Sequence, residues 1–186
     1  PAAPEAFEKL MEMAETAFAG FGDGAARRAI WLKRFAGMAR QFLGYEQGRN
    51  DEIIERHAEI RGRSSFQFRA GPFSLGGRAD RIDVLADGRL ALIDFKTGAV
   101  PQSGEIKAYL APQLLLEAAV ARLGGFGDAG LGARAAAQLA YIKLGGQALF
   151  DEQPIKPPDG MAPEAFIDHA FSHFQAEAFI SSRLFL

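Results

Sequence analysis

Two short stretches carry charges where a strand interior is usually apolar. They are Gly77-Arg78-Ala79-Asp80-Arg81-Ile82-Asp83 and Ile93-Asp94-Phe95-Lys96-Thr97-Gly98. Side chains two apart on a strand share a face, so Asp94 and Lys96 point the same way. Between the stretches lies Ala86-Asp87-Gly88, whose Asp-Gly pair is a strong hairpin-turn signal. Folding the second stretch back on the first sets Asp80 near Asp94. Two carboxylates at close range repel, and a neighbouring cation relieves that repulsion. A hard divalent ion does so well, because Mg²⁺ takes one or two carboxylates together with waters and phosphate oxygens. Such an ion polarises a phosphoryl oxygen and lowers the pKa of a bound water. Lys96 would then hold the attacking water or balance charge in the transition state. The blander alternative is a surface ladder of ion pairs through Asp80, Arg81, Asp94 and Lys96, which is common and worth little. An Asp-x-Lys pair alone fits that ladder. The full pattern of Gly-x-x-Asp, hairpin and apolar-Asp-apolar-Lys-Thr-Gly points to a working phosphate-hydrolysing site.

The elements that must position these residues follow from hydrophobic spacing. The first 60 or so residues read as helical. Pro4 suits a first turn, and Phe7, Leu10, Met11, Ala14 and Phe18 keep helical spacing up to a glycine-rich break at 20–24. A second helix begins near Ala25 with the stripe Trp31, Phe35, Met38 and Phe42, which Glu46 continues at the next step. A carboxylate on a buried stripe is costly unless paired or metal-bound, so Glu46 is expected at an exposed helix end. From 57 to 96 the period falls from 3.6 to 2, predicting strands over 57–68, 73–85 and 89–95 in an antiparallel meander. A helix is predicted over 104–123, with Tyr109, Leu114, Leu115 and Ala118 inward. A glycine-rich connection (124–132), a strand (137–144) and a fifth strand (147–150) follow. A proline-rich extended loop covers 153–163, and a last helix covers 163–179. The predicted class is α/β, with a central mixed sheet begun by the meander and flanked by helices. One domain over 1–186 divides into a helical part (1–56), a core (57–150), and a loop with a final helix (151–186).

Composition narrows the function classes. The 186 residues suit one domain. Hydrophobic residues make up 48%, which excludes a disordered or collagen-like chain. No cysteine is present, which excludes a disulfide framework, thiolate zinc sites and a cysteine nucleophile. The net charge of −2 is not that of a histone-like binder, yet it is unevenly spread. Residues 61–110 hold 8 basic and 5 acidic side chains, whereas both flanks are negative. A polyanion should therefore bind in the middle, where Arg61, Arg63, Arg78 and Arg81 lie. No apolar run approaches the roughly 20 residues that span a bilayer, and no secretory leader is evident. A soluble, cytoplasmic domain with no membrane partner is expected. The chain opens on Pro1 rather than Met, as a piece of a longer protein would.

The GRADRID and IDFKTG stretches, followed by Ala111-Pro112-Gln113-Leu114-Leu115-Leu116-Glu117, resemble the RecB-like branch of the PD-(D/E)xK nucleases. More narrowly, they are similar to the nuclease domain that ends AddB-type subunits of the AddAB helicase–nucleases. The resemblance runs from about Trp31 to Leu123. It implies a restriction-endonuclease-like core and a Mg²⁺- or Mn²⁺-dependent deoxyribonuclease, an exonuclease in double-strand-break processing and recombinational repair. It implies Asp80 and Asp94 as metal ligands, completed by the backbone carbonyl of Phe95. By the same likeness Lys96 is the catalytic lysine, and Gln113 steadies the site or the DNA backbone. Arg78, Arg81, Thr97 and Gln113 become candidate DNA contacts. The implied partners are DNA and an AddA-like helicase–nuclease subunit.

The chain departs from that family in three places. Where the family motif often ends in a tyrosine four positions after the glutamine, this chain has Glu117. No Gly-x-x-x-His match exists between residues 1 and 51, so the family's histidine-bearing helix is expected upstream. Glu46, Glu52 and Glu55 are local substitutes as a third ligand, none in a matching context. The four cysteines of some relatives are absent. A different class of function also fits the resemblance: a catalytically idle nuclease fold that binds DNA or holds a helicase partner. Elsewhere, His169 and His173 have a zinc-enzyme spacing, but Ala170 stands where a general-base Glu would.

Overall fold

The computed structural model describes residues 3–20, 24–68 and 71–183. Two helices open the chain, α1 (Ala3–Ala19) and α2 (Ala25–Gly48). Of the predicted break between them, Phe21, Gly22 and Asp23 lie outside the described residues. Strands β1 (Ile53–Phe68), β2 (Gly71–Leu85) and β3 (Leu90–Lys96) follow, then short helix α3 (Ser103–Lys107) and helix α4 (Gln113–Arg122). Strands β4 (Ala136–Gly145) and β5 (Leu149–Pro154) precede the last helix, α5 (Pro163–Arg183). The five strands lie side by side in the order β1-β2-β3-β4-β5. The first three form the antiparallel meander; β4 runs parallel to β3, and β5 antiparallel to β4. A parallel neighbour requires a crossover, and α3 and α4 occupy it. The fold is therefore mixed α/β, with a five-stranded sheet flanked by helices.

The core lies between the sheet and α4. Leu114, Leu115 and Ala118 pack on Ile82, Val84, Leu90 and Leu92, and α5 closes the layer with Phe166, Ile167 and Ala170. The turn from β2 to β3 forms at the Asp-Gly pair: Gly88 takes φ +82°, its N–H donates to the carbonyl of Leu85, and Asp87 accepts the N–H of Arg89. A glycine has no steric penalty in that left-handed conformation.

Three boundaries differ from the sequence expectation, and one ladder is irregular. β1 begins at Ile53, four residues before the change of period at 57. The helix predicted over 104–123 is two helices, because Pro112 lacks an N–H and disfavours helical backbone before it. Tyr109, at φ +58°, turns the chain between them. The fifth strand runs over Leu149–Pro154 and takes the start of the predicted loop. Its Asp151, Glu152 and Gln153 are exposed along a sheet edge, so no apolar alternation betrays it. Last, the ladder between β1 and β2 skips one position. Ala58 pairs with Arg81 and Ile60 with Ala79, while Glu59 between them turns left-handed at φ +56°. Its unpaired opposite is Asp80. Among the described residues, no helix is long and apolar enough to cross a membrane.

Candidate active site

Asp80 stands where three strands stop behaving alike. β2 pairs with β3 only as far as Arg81 against Ile93, so the next step sets Asp80 beside Asp94. Ala79 and Ile82 both face the core, which places Asp80 at a slip in the alternation rather than on a regular outer face. Its Oδ2 accepts the backbone N–H of Phe95 at 3.0 Å, tying it to β3.

Asp94 is 2% exposed. A buried carboxylate is costly unless its oxygens are engaged; here Oδ1 is hydrogen-bonded, while Oδ2 has the charge of Lys96 beside it but no hydrogen-bond donor. Lys96 Nζ lies 2.6 Å from Oδ2, and Gln113 Nε2 donates to Oδ1 at 2.6 Å. Lys96 Nζ also donates to Gln113 Oε1 at 3.2 Å, which closes a triangle of Asp94, Lys96 and Gln113. The helix break at Pro112 makes this possible, since it starts α4 at Gln113 and aims that side chain at the sheet. Tyr141 pairs in register with Asp94 on the neighbouring strand, and its ring centroid is 5.6 Å from Lys96 Nζ. Burial, reinforced by the charges of Asp94 and Glu117, pushes the Tyr141 hydroxyl up to about 12.

Glu117 joins the group one helical turn beyond Gln113, whose Nε2 donates to Glu117 Oε1 at 3.2 Å. Burial first, then the charges of Asp94 and Asp80, push this carboxyl up to about 7; Gln113 and Lys96 pull against that rise. Sequence reasoning left the role of Glu117 open and missed Tyr141. The signal for Glu117 was its i, i+4 spacing from Gln113 in an otherwise apolar helix. Nothing in the run AQLAYIKL marks Tyr141.

Other candidates fall elsewhere. Arg81, expected as a phosphate partner, is 7% exposed and points to the opposite side of the sheet. There it grips Glu46 at 2.5 and 3.0 Å and Asp83 at 2.7 and 3.0 Å, while Arg49 reaches Asp83 at 2.9 Å. This corrects two expectations together. Arg81 is buried and turns four of its five N–H donors to Glu46 and Asp83, and Glu46 is an ion-pair partner rather than an exposed helix end or a metal ligand. Arg56 also approaches Glu46, at 3.5 Å, so three guanidiniums share two carboxylates beneath α2. Arg78 is exposed and pairs with Glu59 at 2.9 Å. Thr97 is exposed, and its carbonyl, with that of Gly98, receives Lys143 Nζ. His173 stacks on Tyr109 with ring centroids 5.4 Å apart.

Among the described residues, no three His, Cys, Asp or Glu side chains gather as a ready-made ligand set. Asp80 and Asp94 are the adjacent pair, and their oxygen donors, with a backbone carbonyl, suit a hard divalent cation that keeps several waters. Residues 1–180 match the PD-(D/E)XK nuclease superfamily. An uncharacterised protein of Rickettsia typhi is 27% identical over 121 residues, 65% of this chain and 14% of that protein. One from Rickettsia bellii is 26% identical over 99 residues, 53% of this chain and 12% of that protein. The matched part of the chain thus spans about one-eighth of the length of these relatives. Among solved structures, the crystal structure of SSO0001 covers 91% of this chain and 85% of that one, at 14% identity and a TM-score of 0.38. With its meander, its Asp80 and Asp94 pair and its adjoining Lys96, the chain belongs to the PD-(D/E)XK nuclease superfamily.

Proposed function

We propose that this chain is a Mg²⁺- or Mn²⁺-dependent deoxyribonuclease domain that hydrolyses phosphodiester bonds. The observation that carries this is the convergence of Asp80, Asp94 and Lys96 at one end of the sheet, with Asp94 held by both Lys96 and Gln113. In this reading Asp80 and Asp94 hold the ion together with the backbone carbonyl of Phe95. Once bound, the ion polarises the phosphoryl oxygen and supplies a water of lowered pKa. Lys96 presents its ammonium where negative charge develops, and Gln113 keeps Asp94 and Lys96 in register. Tyr141 walls one side of Lys96 with its ring and limits access of bulk water.

The wider role is read from the motifs and from the length of the relatives. The chain acts as the nuclease part of a longer AddB-type subunit, working in the cytoplasm with an AddA-like helicase–nuclease partner on double-strand breaks. The test incubates the purified chain with linear single- and double-stranded DNA, with Mg²⁺, Mn²⁺ or a chelator. Cleavage with either ion and none with chelator is expected. A chain that binds Mn²⁺ and DNA but leaves the DNA whole would be the idle scaffold instead.

A further inference from the structure

Strand β2 outruns its neighbour. It pairs with β3 only over residues 81–84, while residues 71–79 pair with β1 alone. The edge facing α4 along Leu75 to Arg78 is therefore bare of strand partners. Between that edge and Gln113 and Glu117 runs a cleft of about 280 Å³. A second cleft, of about 670 Å³, shares Gly76, Gly77 and Arg78 with it; Arg61, Arg63 and Asp128 line its outer part. Arg61 pairs directly opposite Arg78 on the adjacent strands. Like charges so placed destabilise a sheet. Arg78 has Glu59, but Arg61 and Arg63 are exposed, and no carboxylate partners them among the described residues.

Gly77 adds an independent observation. A side chain there would meet nothing within 4 Å, and its backbone is not left-handed. Neither packing nor conformation demands a glycine at that position, yet glycine weakens a strand. A strand glycine marks a bulge, a tight bend or a close approach by a ligand or another backbone, and the open cleft beside Gly77 fits the last of these.

We infer that one DNA strand reaches Asp80 and Asp94 along this cleft, with its phosphates held by Arg61 and Arg63 and its backbone lying over Gly77. The inference rests on the nuclease reading and extends it to the path of the substrate. The narrow inner cleft lies at the small end of ligand pockets, with room for one nucleotide's backbone rather than a duplex.

The test measures binding of a fluorescent single-stranded oligonucleotide in Ca²⁺ across a salt series, with melting temperatures for every variant. The variants are G77V, R61A/R63A and D94N. G77V should keep its melting temperature and weaken binding at least tenfold. R61A/R63A should weaken binding and flatten the salt slope by about 1.4, at ~0.7 per phosphate contact. D94N should bind the strand without cutting it in Mn²⁺. Parent-like binding by G77V, an unchanged slope for R61A/R63A, or no binding by the parent at low salt would each overturn the inference. If the parent binds through these arginines but cuts nothing, the cleft stands as a strand site and the nuclease reading falls.

Discussion

Gln113 touches three side chains of the candidate site, Asp94, Lys96 and Glu117, yet in the proposed reading it is not a metal ligand. Outer partners of ligands usually matter 10–100-fold for metal affinity or activity. Q113A is therefore expected to weaken Mn²⁺ binding by roughly that factor, read by calorimetry, with little change in melting temperature. Glu117 gives a pH signature. Its folded value of about 7 exceeds the usual carboxylate value of 4.5, so the folded state holds the proton more tightly. The stabilisation is complete below pH 4.5 and is lost as pH rises through about 7. In chelator, the parent should lose stability over that window, by at most about 3 kcal/mol at 1.36 kcal/mol per unit. E117Q should flatten the profile, and an unchanged slope in urea unfolding across that range would count against it. Of this site, Asp80, Asp94 and Lys96 were legible in the sequence because period-2 spacing and a hairpin turn bring them together, whereas Gln113, on α4, was named only through the family resemblance. Tyr141 was not legible, since a parallel neighbour arrives through a crossover whose register no local pattern states.

Helix α2 meets the sheet through charge as well as through apolar packing. Asp83, fully buried, accepts from Arg49 and Arg81, and Glu46 completes the set. Removing one member of a buried ionic network leaves uncompensated charge, typically at a cost of 3–5 kcal/mol. D83A should therefore lower unfolding free energy by about that much in urea titration; a loss under about 1 kcal/mol would mean that the network is solvated. The sequence exposed the polar positions but not their partners, because Glu46 and Arg81 are 35 residues apart. The meander shows the same division. Strong alternation and the Asp-Gly turn made β2 and β3 readable, whereas the slip at Glu59 and Asp80 is a backbone event with no composition of its own. Gly62 has a packing cause instead: a Cβ there would lie 2.4 Å from the ring of Phe126. G62A should cost about 1–3 kcal/mol by overpacking, measured as a lower urea midpoint with unchanged slope.

Across the whole molecule the sheet divides two kinds of chemistry. One face, under α2, holds the ion network; the other, under α4, holds a core that ends in Asp80, Asp94, Lys96 and Glu117. The separation keeps the ion network under α2 apart from the candidate site. The net charge of −2 is unevenly spread, with Arg61, Arg63 and Arg78 exposed along the projecting part of β1 and β2. The central claim is that Asp80, Asp94 and Lys96 act as one metal-dependent unit. The most direct measurement compares single-turnover cleavage of linear DNA by the parent chain and by D94N across a Mn²⁺ titration, with circular dichroism confirming equal folding. The account predicts cleavage by the parent that rises with Mn²⁺, and a loss of at least about a hundredfold in D94N that added Mn²⁺ does not restore. Cleavage by D94N at the parent's rate would contradict it.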